Sequence, residues 1–283
     1  AEDKVILIAE DDDKIFMDGK GSIMSDLIKN DRNPAAKPEK TLLMGWNWKA
    51  PTIMRELDNY VPKGSYLTVM AKGEGLEEEV NEIASALKNE KVVFETGDIT
   101  DRRKLESLHL DDFDHIILLC YSDDLEVQKA DARTMITLLH LRDIAEKKNQ
   151  DFSIVSEMLD IRNRNLAEVS QADDFIVSDK LISLMMAQVS ENKSLNSVFQ
   201  DIFDPEGSEI YLRPISTYVE PGKAVNFYTV IESARKKNET AIGYRLSADA
   251  RNSSLSYGVH LNPDKSEKVI FAPNDKIIVL ANE

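Results

Sequence analysis

The strongest constraint on this chain is an alternation of strands and helices that starts at Thr41 and continues to Val177. Short runs rich in aliphatic, β-branched and aromatic residues recur at Thr41 to Gly45, Tyr66 to Ala71, Val92 to Glu95, Phe113 to Leu119, Phe152 to Ser156 and Phe175 to Val177. Helical apolar spacing fills gaps between them, at Ala50 to Tyr60, Leu76 to Leu87 and Leu125 to Ile144. Strands separated by helices cannot pair as hairpins. They pair in parallel through right-handed crossovers, which predicts an α/β, doubly wound parallel sheet.

After Asp204-Pro-Glu-Gly207 the pattern changes. Strands are expected at Glu209 to Pro214, Thr240 to Leu246, Val259 to Leu261 and Lys276 to Leu280, with one helix at Phe227 to Lys237. This predicts a small α+β unit over 205–283, following a first unit over 41–204. The helical stretches Asp179 to Ser190 and Leu195 to Phe203 close the first unit and carry more apolar residues than one sheet face needs. They read either as helices that pair between copies or as core. Ahead of the first unit, 14–40 reads as a Gly- and Pro-punctuated linker. Residues 1–13, with Val5-Ile-Leu-Ile-Ala9, read as the tail strand of a preceding domain.

Charge narrows the partners. The 51 acidic residues against 35 basic ones give a net charge of -16, spread along the chain. Such a surface repels phosphate backbones and speaks against nucleic-acid binding. No apolar run reaches the ~18 residues that cross a bilayer. The one cysteine, Cys120, ends the apolar run from Ile116 and is expected as a core thiol in a reducing compartment.

The turn after the first strand is where a dinucleotide would be held. That chemistry asks for Gly-x-Gly-x-x-Gly, so that backbone can approach a pyrophosphate, and for an acid after the second strand to take the ribose. Here the three positions are Gly45, Asn47 and Ala50; Trp46 and Trp48 add bulk, and the second strand runs into Lys72. An NAD cofactor is therefore not expected, and the turn reads as retained structure. A small-ligand cleft remains an expectation at Gly45, Trp46, Asn47, Gly97 and Asp98. Asp98 and Asp101, in Gly97-Asp-Ile-Thr-Asp101, face the carboxyl edge where open α/β sheets bind ligands, unless they cap the next helix.

Hard cations need several converging oxygens. Asp98, Asp123, Asp124 and Glu157 at strand ends form the candidate calcium set, with solvated acidic loops as the alternative. The histidines at 109, 115, 140 and 260 have no zinc spacing. No nucleophile elbow, Walker loop or kinase signature is present, so no catalytic residue is assigned.

The Gly97-Asp-Ile-Thr-Asp101 turn, the strand-helix alternation and the Asn274-Asp275 turn before Ile277-Ile-Val-Leu280 resemble the regulator-of-potassium-conductance (RCK) domain of channel gating rings and TrkA-type transporter subunits. Longer strings resemble the soluble region of the Castor/Pollux ion channels: Leu7-Ile-Ala-Glu-Asp-Asp-Asp13, Pro38-Glu-Lys-Thr-Leu-Leu-Met-Gly-Trp46, Asp160-Ile-Arg-Asn-Arg-Asn-Leu166 and Asn238-Glu-Thr-Ala-Ile-Gly-Tyr-Arg-Leu246. The Gly45-Trp-Asn-Trp-Lys-Ala-Pro51 form departs from the plant sequences and is closer to bacterial members. The resemblance implies a gating-ring domain at the cytoplasmic face of a membrane. It implies as partners a pore, a first RCK domain and further copies of itself in a tetrameric channel, and possession of no enzymatic step. The alternatives are an NAD-dependent oxidoreductase and a free-standing nucleotide-sensing subunit of a potassium transporter.

Overall fold

A computed structural model describes residues 8, 21–32, 35–148, 153–163, 174–204, 207–250 and 252–282. The expected tail strand at 1–13 lies outside them except for Ile8. The chain divides into two compact units, 36–196 and a second formed by 1–35 together with 197–283.

The first unit is built on six parallel strands: β1 Lys40–Met44, β2 Ser65–Ala71, β3 Glu90–Thr96, β4 His115–Leu118, β5 Ser153–Met158 and β6 Asp174–Val177. Their order across the sheet is β3-β2-β1-β4-β5-β6. Helices α1 Ala50–Tyr60, α2 Leu76–Ala84, α3 Arg102–Ser107, α4 Val127–Lys148 and α5 Ser178–Glu191 supply the crossovers and the exit from the sheet. All six strands of the sequence reading are present, and α3 is the short helix that Asp101 was read as able to cap.

Central β1 shows why the sheet is parallel. Leu42, Leu43 and Met44 are each 0% exposed, as a strand covered on both faces requires. Leu42 and Met44 pack with Ile116, Leu118, Leu138 and Leu141 on one face. Leu43 packs with Met54, Val69 and Val80 on the other. At the amino edge Asp58, ending α1, accepts hydrogen bonds from the backbone N–H groups of Lys88 (2.8 Å), Asn89 (2.7 Å) and Glu90 (2.9 Å). That clamp fixes the turn into β3.

The second unit contains α6 Leu195–Ile202, β7 Glu209–Pro214, β8 Ala224–Asn226, α7 Phe227–Arg235, β9 Thr240–Arg245, β10 Val259–Leu261, β11 Lys268–Ile270 and β12 Lys276–Ala281. Four strands form an antiparallel sheet in the order β10-β9-β12-β7, and β8 pairs with β11. The short β8 and β11 escaped the sequence reading, whereas the equally short β10 was expected. Tyr218, Phe227, Tyr244, Phe271, Ile277 and Val279 form the core, with Tyr244 edge-on to Phe271 at 5.2 Å between ring centroids.

Two observations differ from the expected organisation. Helix α6 groups with the second unit, not with the sheet, so the division falls at 196/197 and not at 204/205. Within the expected linker, residues 21–32 are packed in the second unit, where Ile28 makes an antiparallel bridge with Val219.

Candidate functional site

The strand order reverses direction between β1 and β4, so the crevice that open α/β sheets use lies at the carboxyl ends of these strands. Gly45 opens the turn out of β1 with φ +86°, and a Cβ there would lie 2.3 Å from the Leu119 carbonyl oxygen. Only glycine fits. Trp46 is half-buried and packs against the clusters on both sheet faces, so it closes the edge as core. Trp48 is 70% exposed, with the Lys49 ammonium 5.3 Å from its ring centre.

Asn47 is the hub. It is 1% exposed, and its Nδ2 donates to the Cys120 carbonyl (2.7 Å) and to Glu157 Oε2 (2.8 Å). Its Oδ1 accepts from the Lys49 N–H at 2.9 Å. Glu157, 6% exposed at the end of β5, also accepts the Cys120 N–H at 3.2 Å and forms an ion pair with the Lys49 ammonium. Asp123 Oδ2 accepts the Trp48 N–H at 2.7 Å.

In a dinucleotide site the β1–α1 loop turns its N–H groups toward phosphate oxygens. Here a carboxylate of the chain itself takes the Trp48 N–H, and a second one holds the lysine and the asparagine. A pyrophosphate would have to displace two carboxylates of its own charge sign. These donors of the loop are thus already engaged by carboxylates of the chain.

A second network lies over the β2 and β3 ends. Tyr121, from the β4–α4 loop, accepts the Lys72 N–H at 3.2 Å, and the Arg133 guanidinium lies 5.2 Å from its ring centre. Arg133 reaches Asp98 Oδ1 at 2.8 Å, and the same oxygen accepts from the Thr100 N–H (2.9 Å) and hydroxyl (2.7 Å). Burial alone would raise the Asp98 carboxyl, but the Thr100 hydrogen bonds with the Arg133 and Lys72 charges hold it below the usual carboxylate range. Gly97 hangs from β2 through its N–H to the Ala71 carbonyl (3.0 Å). Asp101 caps α3 by accepting the Arg103 N–H at 3.0 Å.

The expected cleft residues thus share one sheet edge but divide between two networks, Gly45, Trp46 and Asn47 in one and Gly97 and Asp98 in the other. The four acids of the candidate calcium set have separate surroundings. Asp98 faces Arg133, Asp123 the Trp48 N–H, and Glu157 the Lys49 ammonium, while Asp124 is exposed. Among the described residues no group of three or more His, Cys, Asp and Glu side chains is placed to hold a metal ion.

Sequence reasoning missed Asp131 on α4, 1% exposed. Its carboxylate accepts the N–H groups of Leu159 (2.9 Å) and Asp160 (3.0 Å) and the Asn163 side-chain amide (2.8 Å), fixing the loop after β5 beside Glu157. A lone acid on the buried face of a helix is the signal that was there to be read. Cys120 is a core thiol: burial pushes it up to about 12, and Sγ rests 3.1 Å from the Thr134 hydroxyl and 3.2 Å from the Glu157 carbonyl.

No protein-family model matches the chain. It is 29% identical to the "Probable ion channel CASTOR" of Oryza sativa subsp. japonica, over 99% of this chain and 35% of that protein. It is 30% identical to the "Probable ion channel POLLUX" of Arabidopsis thaliana, over 99% of this chain and 37% of that protein. The chain therefore resembles the Castor/Pollux ion channels throughout and spans about a third of the length of these relatives. Among solved structures, the human SLO3 gating ring matches 87% of this chain and 44% of its own with a TM-score of 0.59 at 11% identity, a likeness of fold.

Proposed function

We propose that this chain is the regulatory, gating-ring portion of a Castor/Pollux-type cation channel, and that it converts binding of a small ligand into a change of pore opening. The observation that carries this is similarity over 99% of the chain to proteins named as ion channels, joined to a fold shared with a gating ring. The reading supplies what the chain lacks. Among the described residues no helix is long and apolar enough to cross a membrane; on this reading another part of the subunit forms the pore. The domain then works at the cytoplasmic face of a membrane.

Gating needs no bond to be made or broken. A ligand that binds one ring shape more tightly than another shifts the population by its differential affinity. The carboxyl edge of the six-stranded sheet suits such a role. Its Asn47–Glu157–Lys49 and Asp98–Arg133–Tyr121 networks tie together loops from β1, β2, β3, β4 and β5, so a ligand entering either one competes with contacts that hold several loops at once. Assembly with further copies is supported by α5, where Leu181, Ile182, Leu184 and Met186 are 48%, 55%, 54% and 69% exposed.

Melting temperatures of the chain with calcium, magnesium, NAD, ATP and ADP test the reading, because a ligand that binds only the folded state raises the melting temperature. A response to calcium or an adenine nucleotide that Glu157→Gln or Asp98→Asn removes supports a sensing site at this edge. A strong response to NAD alone favours the oxidoreductase alternative.

A further inference from the structure

Residues 21–32 lie ahead of the six-stranded sheet in the chain, yet they are held along α7 and the 215–220 turn of the second unit. The seam begins at Gly21, where a Cβ would lie 2.3 Å from the Tyr228 ring, so that ring packs directly on the backbone. Asn226, the N-cap of α7, donates from Nδ2 to the Ser22 carbonyl at 2.8 Å while its Oδ1 accepts the Thr229 N–H at 3.1 Å. Thr229 Oγ1 accepts the Met24 N–H at 3.0 Å. Glu220 N–H donates to the Leu27 carbonyl (3.1 Å), and Lys29 N–H to the Tyr218 carbonyl (2.8 Å), on either side of the Ile28–Val219 bridge. Met24 and Leu27 pack against the second unit's core, and the Lys237 ammonium closes the seam on the Asp31 carbonyl at 2.7 Å.

Two features separate this from a surface loop that merely rests on its neighbour. The cap residue of α7 and the Thr229 hydroxyl are shared between helix and segment, so the helix start is completed by residues about two hundred positions away. The contacts also run to backbone along the segment's length, with apolar anchors on the inner side. A loop without these would be free to leave at little cost.

We infer that residues 21–32 are a strap integral to the second unit's fold. A pull on the amino side of residue 21 is thereby passed to the second unit through these bonds. If the chain serves a channel as proposed, a pull from upstream reaches the second unit first; the tethering itself does not depend on that reading.

The test is to insert a specific protease site between Pro34 and Ala35 of the full chain, cleave it, and follow the amino-terminal fragment by size-exclusion chromatography. The fragment is expected to co-elute with the remainder, and its departure on cleavage overturns the proposal. Hydrogen exchange on the uncut Met24→Asp, Leu27→Asp chain gives the second readout. Amides in 215–237 are expected to exchange at least about tenfold faster while those of β1 and β4 stay within about twofold. Unchanged exchange in 215–237, or equal acceleration in both units, contradicts it.

Discussion

At the residue scale, the turn after β1 is fixed by one atom of space. Gly45 has φ +86° and the Leu119 carbonyl oxygen where a Cβ would go. Gly45→Ala is expected to lower stability by about 1–3 kcal/mol from the backbone conformation alone, and further from the clash. Urea unfolding measures it, with an unchanged slope showing that the denatured state is not the cause. Much of this was legible: Gly45, the absent second glycine, the two tryptophans and the unsuitable Lys72 were all visible in sequence. The partners were not. That Asn47 would bridge to Glu157, 110 positions away, depends on β4 and β5 being neighbours, which local patterning does not encode.

Glu90 offers a second test at this scale. It is 7% exposed, its Oε1 has no hydrogen-bond partner among the described residues, and burial with the nearby Asp58 carboxylate pushes its carboxyl up to about 7 from 4.5. The folded state therefore holds a proton that the unfolded chain has released. This group's contribution to stability is present below pH 4.5 and is lost as pH rises from 4.5 to about 7. Glu90→Gln carries no such loss. The melting temperature of the variant minus that of the wild type is expected to rise across this window and level off above it. A difference independent of pH contradicts the assignment.

At the element scale, the longer strands were read closely because each combines apolar content with a clear break, whereas β8 and β11, three residues each, were missed. The surroundings of the candidate calcium acids were hidden for a related reason. Sequence showed the acids at strand ends but not their partners, as Arg133 of α4 takes Asp98. Helix α5 shows the opposite case, an apolar excess that the structure leaves uncovered at Leu184 and Met186. Charging that face by Leu184→Glu, Met186→Glu is expected to shift the chain toward monomer in light scattering at matched concentration, with the melting temperature little changed because both residues are exposed. An unchanged mass distribution would show that this face does not mediate assembly.

At the scale of the whole molecule, the unit boundaries were the least legible part. A stretch with Gly and Pro punctuation reads as a linker, and 21–32 has that composition while being part of the second unit's packing. Composition reports the absence of an internal period. It cannot report which distant groove will supply hydrogen-bond partners. The resemblance to the Castor/Pollux channels, by contrast, was carried by strings distributed along the chain, and it runs over 99% of the length.

The central claim is that ligand binding at the carboxyl edge biases pore opening without chemistry. Its most direct test is current recording from the channel subunit that carries this chain, in excised patches, with calcium and adenine nucleotides applied to the cytoplasmic side. The account predicts an open probability that depends on one of these ligands, and a midpoint displaced by Glu157→Gln or Asp98→Asn while single-channel conductance is unchanged. An open probability indifferent to every ligand, or edge variants that alter conductance and leave gating untouched, would contradict it.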